Sequence, residues 1–182
     1  MKLLFISDIH GSLYWLNRAI EKVEQEQPDQ IILLGDYMYH GPRNPLPDDY
    51  NPAEVANILN RYKNRIIAVR GNCDAEVDQM LLEFPMMGDY AVLYHESRKI
   101  HVTHGHGYSM EHLPPLQPGD IFIQGHTHIP VAVQQEGIYL LNPGSIALPK
   151  GDYPHSYGIM ENDIFTIHSL ENTVIKQIIF ED

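Results

Sequence analysis

Short runs of Ile, Val and Leu punctuate the chain at residues 3–6, 31–34, 66–69, 100–103 and 121–123. Each is too brief for a helix and reads as a buried strand. A second set at 131–133, 138–141, 157–160, 164–167 and 174–180 is more hairpin-like and predicts antiparallel pairing. Between the first two runs, Leu13, Leu16, Ala19, Ile20 and Val23 recur at helical spacing, with Ser12 placed to cap them. A second helix is predicted over 52–62, with Asn51 as cap and Pro52 in its first turn, and a shorter third over 75–83 before Pro85. Residues 37–51 carry Gly41, Pro42, Pro45, Pro47 and two adjacent aspartates, a composition that predicts a long ordered loop, of the kind that serves as a lid beside a site.

With 182 residues the chain predicts one α/β domain over 1–182. Its 43% apolar and 20% charged residues, with 13 Gly and 13 Pro, exclude collagen-like, low-complexity and disordered classes. A net charge of -12 disfavours sequence-independent nucleic-acid binding and attachment to anionic membranes. The single Cys73 cannot form an intrachain disulfide, and no stretch matches a signal peptide or a membrane span, so a cytoplasmic protein is expected. Eleven histidines point to a pH-sensitive surface or to metal ligation, and their positions decide between the two.

Five apolar runs each end within a few residues in a metal-competent side chain. Residues 3–6 lead to Asp8 and His10, 31–34 to Asp36, 66–69 to Asn72, 100–103 to His104, and 121–123 to His126 and His128. Ligands of α/β sheets bind outside the carboxyl ends of strands, so these seven side chains are expected to converge on one crevice. A lone Asp or His after a strand is commonly a turn residue or helix cap. The pair in Gly125-His126-Thr127-His128 has little reason to exist for packing, and all five together leave the turn reading far behind. Two Asp, one Asn and four His, with no thiolate, are too many for one tetrahedral ion and suit two divalent ions.

Asp8-Ile9-His10, Gly35-Asp36, Gly71-Asn72-Cys73-Asp74, Thr103-His104-Gly105-His106 and Gly125-His126-Thr127-His128 together resemble, in order and spacing, the signature of the calcineurin-like metallophosphoesterase superfamily. Short length, the Gly41-Pro42-Arg43-Asn44 loop and Asn142-Pro143-Gly144-Ser145 make the chain similar to the YfcE-like bacterial phosphodiesterase subfamily. The resemblance implies a four-layer α-β-β-α sandwich of two mixed β-sheets flanked by helices. It implies one metal held by Asp8, His10, Asp36 and His128 and another by Asp36, Asn72, His104 and His126, with Asp36 bridging. The ions are typically manganese, with iron, zinc and nickel as alternatives, and the substrate is a small phosphoester. Paired ions activate a bridging hydroxide for in-line attack on phosphorus, which makes Asp36, Asn72, His104 and His106 the catalytic set. A homodimer or homotetramer is also implied.

One departure bears on specificity. Many family members have His where Cys73 stands, oriented by an acid in the place of Asp74. Its loss weakens protonation of a poor leaving group and predicts a preference for diesters or activated esters over unactivated monoesters; Cys73 as a small space-filling residue is the plainer alternative. Arg43, Cys73 and Asp74 are the expected substrate contacts, with Arg70, His106, His40 and Lys150 as further candidates; the plainer readings are that Arg70 pairs with a structural carboxylate and that Lys150 is solvated. Tyr37, Tyr39 and Tyr50 are candidates to stack on an aryl or nucleoside group, or to anchor the loop. His95, His101, His112, His155 and His168 read as surface or half-buried residues. Rival readings are a phosphomonoesterase or protein phosphatase on the same site, and a noncatalytic metal-binding scaffold like the retromer subunit that shares the fold.

Overall fold

The protein is described by a computed structural model covering residues 1–181. Strands β1 (Lys2–Ile6), β2 (Gln30–Leu33), β3 (Ile66–Ala68), β9 (Ser156–Glu161), β10 (Ile164–Ser169) and β11 (Val174–Ile179) form one sheet in the order β11-β10-β9-β1-β2-β3. Strands β4 (Tyr90–His95), β5 (Arg98–Thr103), β6 (Ile121–Ile123), β7 (Val131–Gln135) and β8 (Ile138–Asn142) form the second, in the order β4-β5-β6-β8-β7. Both sheets are mixed. β1, β2 and β3 run parallel while β9, β10 and β11 pair antiparallel, and β5, β6 and β8 run parallel between antiparallel edges. The antiparallel expectation for the second half thus holds for four pairings and fails for β6 with β8.

Strand alternation divides the core. Leu3, Phe5, Ile32 and Leu34 point between the sheets, where they meet Val102, Ile121, Ile123 and Leu141. Leu4, Ile6, Ile31 and Leu33 face the other way, onto α1 (Leu13–Glu26) and α2 (Pro52–Arg61) through Leu16, Ala19, Val23, Val55 and Leu59. Both helices start where the sequence predicts. Ser12 Oγ accepts the Trp15 amide at 3.3 Å and Asn51 Oδ1 the Glu54 amide at 3.3 Å.

Three elements differ from expectation. α3 is one turn, Glu76–Gln79, because Val77, Met80 and Leu81 are exposed and give a longer helix no face to bury. Strand β4 escapes a search for apolar runs because it is a sheet edge whose Tyr90, Val92 and Tyr94 face solvent. The two-sheet sandwich is as expected, but the outer face of the second sheet is covered by the irregular segment 104–118, whose Met110, Leu113 and Leu116 pack on Phe122, Ile138 and Leu140. Among the described residues no helix is long and apolar enough to cross a membrane.

Candidate metal centre

All seven predicted side chains follow the carboxyl ends of parallel strands, four from the first sheet and three from the second. The backbone turns sharply there. Asp8, His10, Asp36, His126 and His128 have φ of 57°, 48°, 58°, 65° and 62°, the left-handed region that non-glycine residues seldom occupy. Five such residues at one crevice mark loops shaped by what the side chains must reach. The close approach needs glycine beneath them: a Cβ on Gly125 would sit 1.8 Å from Ser7 Oγ, and one on Gly71 would sit 2.1 Å from Asp36 Oδ1.

Hydrogen bonds fix how the imidazoles present themselves. His10 Nδ1 donates to the Tyr39 carbonyl at 2.9 Å, His104 Nδ1 to that of Leu34 at 2.6 Å and His128 Nδ1 to that of Leu148 at 2.5 Å. In the neutral ring each Nε2 is then a lone pair, the tautomer that metal-ligating histidines adopt. These lone pairs face other acceptors. His10 Nε2 lies 3.4 Å from His128 Nε2, and His104 Nε2 lies 3.1 Å from Asn72 Oδ1 and 3.2 Å from His126 Nδ1. The Asp8 carboxylate joins the first group, with Oδ1 3.2 Å from His128 Nε2 and 3.7 Å from His10 Nε2. That oxygen is buried and has no hydrogen-bond partner, while Oδ2 accepts Ser7 Oγ at 2.5 Å and the His126 amide at 3.1 Å.

Asp36 stands between the two groups. Its Oδ1 accepts the Cys73 amide at 2.8 Å, leaving Oδ2 3.6 Å from His10 Nε2 and 3.4 Å from His104 Nε2. Lone pairs aimed at lone pairs, with an orphaned buried carboxylate oxygen, are costly unless a cation sits among them. The donor set fits divalent metals, and Asp36 is placed to serve both groups, as the resemblance implies. Without cations, the site draws protons. Burial pushes the Asp8 carboxyl up, but His10 and His128 outweigh it and hold it well below its ordinary value. Burial pushes His104 down, but Asp36 and Asp8 carry it up to about 9.

The crevice encloses about 350 Å³ and is walled by Gly41, Pro42, Arg43, Asn44, Cys73 and Lys150 around the ligands. Arg43 and Cys73 thus line the crevice, and the 37–51 loop supplies one rim. Lys150 is exposed, as its solvated reading has it, and lines the crevice, as its reading as a candidate contact has it; its amide donates to the His128 carbonyl at 3.3 Å. His106 is exposed beside the site, its ring centroid 5.4 Å from that of His104. Partial burial and the His104 charge push its imidazole down.

Several assignments require correction. Asp74 does not line the crevice; it is buried, with Oδ2 accepting the Asp36 and Gly71 amides at 2.8 and 2.7 Å and Oδ1 the Tyr37 amide at 2.9 Å. Burial pushes its carboxyl up to about 6 despite those bonds. Arg70 Nε bonds the Asp74 carbonyl at 3.3 Å and does not line the crevice, and neither does His40. The anchoring alternative holds for Tyr37, which is buried with its hydroxyl donating to the Val69 carbonyl, while Tyr39 and Tyr50 line a neighbouring cleft. His95 and His101 are buried: His95 bonds the Asn162 carbonyl at 2.7 Å, and His101 stacks between Tyr90 and Phe122.

A support beneath the ligands went unassigned in the sequence. Asn142 Nδ2 bonds the Gly125 carbonyl at 2.8 Å and Thr127 Oγ1 at 3.0 Å, and Ser145 Oγ bonds the Asp8 carbonyl at 2.9 Å. Both belong to the Asn142-Pro143-Gly144-Ser145 motif, which ties the end of β8 to the ligand loops of both sheets.

Comparison with known proteins agrees with this geometry. The calcineurin-like phosphoesterase superfamily domain matches residues 1–163. Phosphodiesterase YfcE of Escherichia coli (strain K12) is 46% identical over 179 residues, covering 98% of this chain and 97% of its own length. YsnB of Bacillus subtilis (strain 168) is 31% identical over 176 residues, covering 92% and 89% respectively. The solved structure of the E. coli phosphoesterase Yfce superposes with a TM-score of 0.98 at 45% identity, covering all of both chains. The chain belongs to the calcineurin-like phosphoesterase superfamily.

Proposed function

We propose that the protein is a dinuclear metal-dependent phosphodiesterase, hydrolysing a small phosphodiester to an alcohol and a phosphomonoester. The observation that carries this reading is Asp36 Oδ2, flanked at 3.6 and 3.4 Å by the lone-pair nitrogens of His10 and His104 inside an open crevice. The similarity to phosphodiesterase YfcE supports it. Asp8, His10, Asp36 and His128 would hold one cation and Asp36, Asn72, His104 and His126 the other; manganese is the proposed ion. When bound, paired divalent ions supply Lewis acidity toward the phosphoryl oxygens and lower the pKa of coordinated water.

The chain's own residues do the rest. The carbonyls of Tyr39, Leu34 and Leu148 keep three imidazoles in the ligating tautomer. Arg43 and Lys150, at the rim, neutralise the non-bridging oxygens and orient the ester, and His106, beside the His104 ring though outside the crevice lining, is a further candidate contact. The crevice's cations let an acidic protein receive an anionic substrate. Cys73 brings no imidazole to the leaving group, and in the cation-free site burial and the Asp36 charge push its thiol up to about 12. Protonation of a poor leaving group is therefore weak, which favours diesters and activated esters. We further propose a cytoplasmic location, a dimer or tetramer, and a lid role for the 37–51 loop.

The test strips the metal, titrates manganese back and follows an activated aryl phosphodiester beside the matching monoester. Manganese-dependent diester hydrolysis with little monoester turnover is expected. Comparable rates on both would favour a monoesterase, and no turnover at full metal occupancy would favour a scaffold.

A further inference from the structure

Beside the metal crevice, on the far side of His106, lies a second cavity of about 380 Å³ that the proposed reaction does not use. Its walls are mostly rings: Tyr90, His106, Tyr108 and His112, with the carboxylate of Asp89. The rings are held from behind. Tyr90 stacks on buried His101 with centroids 5.1 Å apart and planes 14° apart, and His101 stacks in turn on Phe122. Tyr108 meets the edge of His101 and lies near-parallel to His112, at 19°. Paired backbone bonds between Ser109 and His112, 3.1 and 3.0 Å, close the turn that presents these two rings. Tyr90 and Tyr108 are nonetheless 55% and 38% exposed, so their faces are available.

Resting on the diesterase reading, we propose that this cleft receives the nucleoside arm of the phosphodiester. Its aromatic faces stack on the base, and Asp89 accepts an N–H of the base edge. His106 lines this cleft and stands next to the metal-competent histidines, its ring centroid 5.4 Å from that of His104 and 6.4 Å from that of His126. In the proposed pose the phosphate sits at the histidine and aspartate cluster and one ester arm runs past His106 to the rings. A carboxylate at the cleft disfavours a second phosphate or other anion there and favours a neutral, N–H-bearing heterocycle. The substrate class that matches is a diester of one nucleotide with a second alcohol.

The test has two readings on the manganese-loaded protein. Thymidine 5′-monophosphate and methyl phosphate are compared by titration calorimetry, and p-nitrophenyl thymidine 5′-phosphate and p-nitrophenyl methyl phosphate by initial rate. The nucleoside compound is expected to bind, and to be turned over by kcat/KM, better by on the order of 10-fold, the worth of one base–aromatic stack. In the Tyr108→Leu/His112→Leu variant both ratios fall toward one. Should that variant not fold, Tyr90→Leu on the same cleft is read the same way. Equal binding of the two phosphates by the unmodified protein, or a preference that survives the substitutions, overturns the proposal. Absence of turnover on both diesters refutes the diesterase reading instead, while the calorimetric ratio still reports on the cleft.

Discussion

Asp74 Oδ2 accepts the backbone amide of Asp36 at 2.8 Å, so the carboxylate poised between the two ligand groups is held by a second, buried carboxylate. Asp74 also takes the Tyr37 and Gly71 amides, and thereby fixes the loops that follow β2 and β3 against each other. Asp74→Asn must turn an amide N–H toward at least one of these donors. A loss of about 1–3 kcal/mol in unfolding free energy is expected, with lowered manganese stoichiometry. Urea denaturation and metal analysis check it, and a variant with full stability and full metal would remove Asp74 from this role.

Gly125→Ala tests the packing under the second sheet's ligands. Its Cβ would lie 1.8 Å from Ser7 Oγ, the donor to Asp8 Oδ2. Relief must move Ser7 or the 124–128 turn, at a cost of about 1–3 kcal/mol. The expected outcome is a folded protein that binds manganese weakly, read by equilibrium dialysis beside circular dichroism. Unaltered affinity would show that the turn has slack.

Metal binding should depend on pH with a definite sign. His104 is pushed up to about 9 in the cation-free site, so near neutrality its ligating Nε2 carries a proton that the metal must displace. Manganese affinity therefore rises as pH rises toward about 9 and falls in mild acid. Calorimetry in buffers of different ionisation heat measures the protons released, and an affinity independent of pH contradicts the assignment of His104 as a ligand.

Cys73→His places an imidazole where a half-buried thiol now lines the crevice. Protonation of poor leaving groups improves, so the monoester-to-diester rate ratio is expected to rise. If the ratio stays put, Cys73 is a space-filling residue.

The candidate ligands were legible in the sequence because apolar runs ending in Asp, Asn or His constrain both fold and chemistry. Seven residues were found this way, and the structure brings all seven together. Residues acting through backbone contacts were not legible. Asp74 reads as a polar residue of a motif, and only the structure shows that its oxygens serve three amides. Ser145 and Asn142 stand far along the chain from what they support. β4 was missed because an edge strand with outward-facing Tyr90, Val92 and Tyr94 lacks a contiguous apolar run.

That the ligands divide between two sheets has a mechanical consequence. Asp8 Oδ1 and His128 Nε2, 3.2 Å apart, are carried by different sheets. A divalent ion seated between them would rivet the sheets together against thermal breathing, so the loaded protein is expected to resist unfolding better than the stripped one.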